Sequence, residues 1–289
     1  MALDWFNKSL AVNIEVGNRD WEGRGLQQIG RIYFLQNEYK EALKFYDKAL
    51  PLIQKSGTRQ LELDVLIGIA DSYFNSKEYQ QASEAYQQAL PLAKELKDRS
   101  LEGGILSMIG NSYFKQEKYQ EAIVLYQQAL PIVQEVKDKS RELDILTAMG
   151  DSYFNQEKYQ EAIAIYQQAL PVVQAQKEQS TAAKIVNSIG DAYFQQKQYN
   201  SALKFYQQAL TLARKAKNES LEIDVIANIG NVYSHQKQYE QAIAFYQQEL
   251  QSAQKEGNKL LVGSIIAFPS LVKYKIIGVY LRLSSSIGG

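Results

Sequence analysis

Cysteine is absent from the 289 residues, and histidine occurs once, at position 235. Without a thiol there is no disulfide framework, no Cys-ligated zinc or iron–sulfur centre and no thiolate nucleophile. With a single imidazole, any site that needs two is excluded. A surplus of one charge sign is also missing, because 32 Lys and Arg balance 32 Asp and Glu. A general nucleic-acid or acidic-membrane binder needs a basic surplus that this chain lacks. The opening MALDWFNKSL has neither a basic start nor an apolar core. It does not read as a secretory signal, and a cytoplasmic setting is expected. The last 33 residues are the exception to the balance, with four cations (Lys259, Lys273, Lys275, Arg282) and no acid. Residues 1–256 therefore hold 28 cations against 32 acids, a net charge of −4.

What the chain does have is a repeat of period 40 without insertions. Gly30, Ala70, Gly110, Gly150, Gly190 and Gly230 form a column of small residues. Tyrosines recur at 33, 39 and 46 and at every fortieth residue after each, which accounts for 18 of the 20 in the chain. Aromatics placed this regularly are structural parts of a repeating unit.

Each unit reads as two helices. Leu66, Ile69, Ala70 and Tyr73 fall at i, i+3, i+4, i+7, and after a break at 75–77 a second stripe runs through Tyr79, Ala82, Tyr86, Ala89 and Leu90. The column at 18, 58, 98, 138, 178, 218 and 258 holds Asn, Thr, Asp, Asp, Glu, Asn and Asn, good N-caps at all but Glu178. The preceding column is Gly or Lys, which suits a helix C-terminus. Pro51, Pro91, Pro131 and Pro171 fall inside the second helix. Thr211 and Gln251 occupy the same column with nothing else changed, so the prolines read as tolerated kinks.

The segment GDSYFNQEKYQEAIAIYQQAL, residues 150–170, resembles the core of a tetratricopeptide repeat. That family's small, Tyr, Ala, aromatic and Ala positions correspond to Gly150, Tyr153, Ala162, Tyr166 and Ala169. The period is 40 where 34 is common, similar to Pins-type and kinesin-light-chain-type arrays, and Pro171 stands three residues before the family's usual proline. The resemblance covers residues 1–256. It implies an all-α right-handed superhelix of about thirteen antiparallel helices. The expected layout is a half repeat at 1–17, then units at about 18–57, 58–97, 98–137, 138–177, 178–217 and 218–256.

Both ends depart from the pattern. Residues 2–10 align with 42–50, so Met1 is expected to start inside a second helix. From about residue 261 the repeat's columns vanish, and 257–289 reads as a degenerate cap or a frameshifted apolar tail. Reading out of frame from Arg282 through Gly288 permits Ala-Ile-Glu-Phe-Tyr-Arg-Arg, with Ala and Tyr landing on the repeat positions 282 and 286. A membrane anchor over Leu260–Leu281 is disfavoured, because Lys273 and Lys275 each cost roughly 2.5–3.5 kcal/mol near a bilayer centre.

By resemblance, first helices line a concave groove, and the residue after the small column points into it: Arg31, Asp71, Asn111, Asp151, Asp191 and Asn231. Three residues on lie Phe34, Phe74, Phe114, Phe154 and Phe194, a ladder that ends in Ser234; the neighbouring column holds Asp64, Gly104, Asp144, Lys184 and Asp224. Asn187, Asn228 and Asn231 resemble the amide ladder of Pins-type repeats. Carboxylates and amides beside phenyl faces suit an extended peptide with backbone N–H groups and basic side chains. The competing account is a solvated inner surface with the phenyls packing between repeats.

His235 has no Ser or Cys partner and reads as a surface residue. Gly103–Gly104 lacks a following GK[ST], so no phosphate loop is implied. No constellation supports an enzyme, a metal or a cofactor. The expected function is a non-catalytic scaffold for a protein or peptide partner. The alternatives are a severed piece of a larger regulator and a membrane-tethered adaptor.

Overall fold

The computed structural model describes residues 12–13 and 15–267. Among these residues there are thirteen helices and no strand. The chain divides into two compact units, Met1–Gln156 and Glu157–Gly289. The first unit holds α1 (Arg19–Leu35), α2 (Tyr39–Ser56), α3 (Arg59–Asn75), α4 (Tyr79–Glu95), α5 (Arg99–Lys115), α6 (Tyr119–Glu135) and α7 (Lys139–Asn155). The second holds α8 (Tyr159–Gln176), α9 (Gln179–Gln195), α10 (Tyr199–Lys215), α11 (Glu219–His235), α12 (Tyr239–Lys255) and α13 (Lys259–Ala267). Within each unit every helix packs on its neighbours in sequence. First helices of successive repeats also touch: α1 with α3, α5 with α7, and α9 with α11. The exposed side of these first helices is therefore the inner, closely spaced face.

The turn residues place the helix ends. Asn18, Asp98, Asp138, Asn218 and Asn258 each accept the backbone N–H three residues on, at 2.9–3.3 Å. Thr58 departs from the expectation. It stands at the N-cap of α3 without a side-chain cap, and its Oγ1 instead accepts from the Ser56 hydroxyl at 3.2 Å. Glu178 makes no cap either, and its Oε2 accepts from Thr181. The residue before each cap is left-handed. Gly17, Gly57 and Gly257 adopt this conformation freely, whereas Lys97, Lys137, Lys177 and Lys217 hold it at φ 54–59° against the Cβ penalty.

Helices α2, α4, α6 and α8 continue through Pro51, Pro91, Pro131 and Pro171. Their inward faces carry fully buried alanines at 42, 82, 122 and 162 and the buried tyrosines 46, 86, 126 and 166. The same positions on α10 and α12 hold Ala202, Tyr206, Ala242 and Tyr246. The rings of Tyr46, Tyr126, Tyr206 and Tyr246 lean on the glycine of the preceding first helix. A Cβ placed on Gly110 would lie 2.6 Å from Tyr126 Cε1, and one on Gly190 would lie 2.6 Å from Tyr206 Cδ1. Glycine in these helices costs propensity, roughly 1 kcal/mol against alanine. The buried ring outweighs that, at about 1.5–3 kcal/mol per large side chain.

Near the start of the first helices a glutamate is buried, at most 8% exposed: Glu62, Glu102, Glu142 and Glu222. A carboxylate can be buried this deeply only if it is paired and hydrogen-bonded. Gln54 and Arg59 hold Glu62 at 3.0 and 2.8 Å, and Gln134 and Lys139 hold Glu142 at 2.9 and 2.7 Å. Arg99 bridges Glu102 and Glu135 at 2.6 and 2.8 Å. Arg214 joins Glu222 at 2.8 Å to Glu249.

In α13 the repeat register persists. Gly257 is left-handed, Asn258 caps the helix, and Leu261 and Ile265 bury at the positions of Leu221 and Val225. Ile266 is 37% exposed, so it stands outside the buried face that Leu261 and Ile265 form. The rest of the expected cap and the frameshifted reading, over residues 268–289, lie outside the described residues. Among the described residues no helix is long and apolar enough to cross a membrane.

Two substitutions test this packing. Tyr126→Ala should destabilise the first unit by about 3–5 kcal/mol, the range for emptying a large aromatic site. Hydrogen exchange should show the loss first in α5 and α6, because repeats depend on their neighbours. Lys137→Gly should stabilise by roughly 0.5–1 kcal/mol by removing the left-handed Cβ strain. Denaturant melts read both changes.

Candidate functional site

Five of the six polar residues that follow the small column are half-buried, and three of them, Asp71, Asn111 and Asp191, are bonded to the tyrosine fifteen positions on. Tyr126 Oη donates to Asn111 Oδ1 at 2.7 Å and Tyr206 Oη donates to Asp191 Oδ1 at 2.8 Å, while Tyr86 donates to Asp71 Oδ1. Asp71, Asn111 and Asp191 therefore each use one oxygen to satisfy a buried phenol and keep the remaining polar atom on the inner face. Asp151 is half-buried on α7, and its charge opposes ionisation of Tyr126. Asn231 is half-buried at the same position on α11, and Arg31, which cannot accept a bond, is exposed on α1.

The phenyls are partly buried at the ends of the first helices. Phe34, Phe74, Phe114 and Phe194 meet Tyr39, Tyr79, Tyr119 and Tyr199 of their own repeats in tilted or edge-on contacts at 5.4–5.5 Å between centroids. Phe154 is likewise half-buried at the end of α7. His235 is exposed and sets its imidazole edge-on to Phe194 at 5.0 Å. Where the ladder ends in Ser234, its hydroxyl is buried without a hydrogen-bond partner among the described residues, and Tyr239 is 43% exposed.

Two places on the inner face gather polar groups. In the first unit a cleft of about 270 Å³ opens across α3, α5 and α7. Ile67, Ile105 and Met108 supply apolar surface, and Asp71, Asn111, Arg141 and Asp144 supply polar groups. Gly104 makes room for it, since a Cβ there would come within 3.3 Å of Arg141 Cζ. Arg141 is anchored by Asp138 at 2.6 Å.

In the second unit Asn187, Asp191 and Asn228 meet. Asn187 Nδ2 donates to Asp191 Oδ2 at 3.0 Å. Asn228 Nδ2 is shared between Asn187 Oδ1 at 3.2 Å and Asp191 Oδ1 at 3.3 Å. Sequence reasoning missed Tyr86, Tyr126, Tyr206 and Arg141 as members of these sites. The constant spacing of fifteen between the polar and tyrosine columns is the signal that could have revealed the tyrosines.

The tetratricopeptide repeat family model matches residues 1–55, 26–95, 101–175 and 180–255, and a second model of that description matches 67–134. The chain belongs to the tetratricopeptide repeat family. No curated protein matches it. Among solved structures, this tetratricopeptide repeat chain is similar to a signal transduction ATPase with numerous domains and a tetratricopeptide repeat sensor, from Pyrococcus horikoshii. That match has a TM-score of 0.67 at 18% identity over 91% of this chain, which spans 40% of the ATPase chain's length. The apo form of RapI matches with TM-score 0.66 at 16% identity, over 99% of this chain and 87% of its own. A Rap protein complexed with competence and sporulation factor gives 0.51 at 14%, over 91% and 80%. At these identities the likeness is one of fold.

The Asp191 cluster makes the repeat chain sensitive to pH. Burial raises the Asp191 carboxyl to about 6, the Tyr206 hydrogen bond pulls it back, and the Asp224 charge adds to the rise. A carboxyl raised on folding contributes its full stability below the ordinary value near 3.8 and loses it as pH climbs through 6. Asp191→Asn keeps an oxygen for Tyr206 and removes the ionisation. Thermal melts should therefore show the variant gaining on the wild type between pH 4 and 7, with a flatter pH dependence.

Proposed function

We infer that the chain is a non-catalytic interaction scaffold that binds an extended peptide or protein segment, one carrying basic residues, on its first-helix face. The cleft over α3, α5 and α7 carries this reading, because two carboxylates and an amide border an apolar floor, and the one cation among them, Arg141, is already paired with Asp138 at 2.6 Å. A half-buried carboxylate attracts a cation more strongly than an exposed one, where a pair contributes about 0–1 kcal/mol. Asp71, Asn111 and Asp151 in the first unit, and Asn187, Asp191, Asn228 and Asn231 in the second, are the proposed contact residues. The amides suit a partner's backbone. Phe74, Phe114, Phe154 and Phe194, partly exposed at the helix ends, offer apolar contact beside them. The fold neighbour complexed with competence and sporulation factor supports the general mode.

The test uses an array of immobilised 12-residue peptides of graded Lys and Arg content, with the best binder re-measured in solution. Basic peptides should be retained and should be released by 0.5 M salt, because screening acts within about 8–10 Å at physiological ionic strength. Asp144→Asn should weaken binding, and Gly104→Trp, which fills the cleft, should abolish it with helicity unchanged. Lysine replacements of Asp71 or Asp191 are poor tests, because both aspartates accept from a buried tyrosine. Full affinity in Gly104→Trp would place the site elsewhere.

A further inference from the structure

Four repeats bury a glutamate near the start of their first helix, but the repeat that begins with α9 has Ala182 there. The other members of the network change with it. The basic residue at Arg59, Arg99 and Lys139 becomes Gln179. Gln174, the counterpart of Gln54 and Gln134, still projects from the end of the preceding helix. Those two donate to Glu62 and Glu142, whereas Gln174 has no side-chain hydrogen bond among the described residues.

The place opens as a surface cleft of about 570 Å³, lined by residues of α8, α9 and α10 and of the turn between α8 and α9. Leu170, Val173, Val186 and Leu212 supply its apolar surface, and Gln174, Gln179 and Gln208 bring amides to it. Lys177 and Glu178 lie on the lining as well, and the Glu178 carboxylate is engaged by the Thr181 hydroxyl at 3.0 Å.

We propose that this cleft binds an aliphatic carboxylate, the group that the neighbouring repeats supply from their own glutamate. The stem lies on the leucine and valine surface, and the head takes the Gln174 and Gln179 amide donors and the Lys177 ammonium. These are the donor types that hold Glu62 and Glu142. Pockets of a few hundred Å³ hold whole small ligands, so the stem can be longer than a glutamate side chain. The site uses none of the residues proposed for peptide contact on the first-helix face.

Titration calorimetry on the full chain tests this with three probes: hexanoate, its neutral isostere hexanamide, and the doubly blocked tripeptide Leu-Glu-Leu. At least one of the two carboxylates should bind, and hexanamide should bind roughly tenfold or more weakly than the better of them. Tighter binding of hexanoate identifies a free acid as the source, and tighter binding of the tripeptide identifies a partner's acidic side chain. Ala182→Glu restores the residue of the neighbouring repeats. It should abolish binding of every probe with the helical circular dichroism retained. Failure of both carboxylates to bind, equal binding of hexanamide, or undiminished binding in Ala182→Glu would each overturn the proposal.

Discussion

The repeats that begin with α3, α5 and α9 each depend on a tyrosine seated between a small residue and a polar one. The ring of Tyr126 sits where a Cβ on Gly110 would press on it at 2.6 Å, and its hydroxyl is buried with Asn111 accepting its hydrogen bond. Burial without that acceptor would cost about 1–3 kcal/mol. The two consecutive residues thus solve two problems of one side chain, one steric and one polar. The same solution recurs at Gly190–Asp191 with Tyr206. Ala70–Asp71 with Tyr86 shows that a single methyl can be accommodated.

This arrangement also gives the inner face its character. An acceptor for a buried phenol can be Asp or Asn, and either leaves a second polar atom on the inner side. The acidity of that face is therefore partly a by-product of packing. On the proposed reading, a partner would meet carboxylates and amides that are already positioned and partly desolvated, which leaves little side-chain ordering to be done on binding. The cost is electrostatic, and it shows in the raised carboxyls of Asp71 and Asp191.

The architecture was legible because the period is free of insertions. Helix pairs, their breaks, the left-handed turn residues and the continuation through proline all follow from columns of one-dimensional sequence. Thr58 was misread because a column does not register competition from Ser56, two residues away. The polar column was legible as a position on the inner face, but its tyrosine partners were not, since those tyrosines read equally well as simple core fillers. Arg31, the one member unable to accept a hydrogen bond, is the departure that hints at a pairing. The cleft at Ala182 was hidden for a different reason. An alanine in a helix looks ordinary until the packing of three helices shows what its neighbours put in that place.

The central claim is that the polar inner-face residues are coupled to the buried tyrosines, and a double-mutant cycle measures that coupling directly. Tyr126→Phe and Asn111→Ala, made singly and together, should show an interaction free energy of about 0.5–1.5 kcal/mol in denaturant unfolding of the first unit. Additive effects, with no coupling within error, would mean that Asn111 faces the groove independently of the core and would contradict the account.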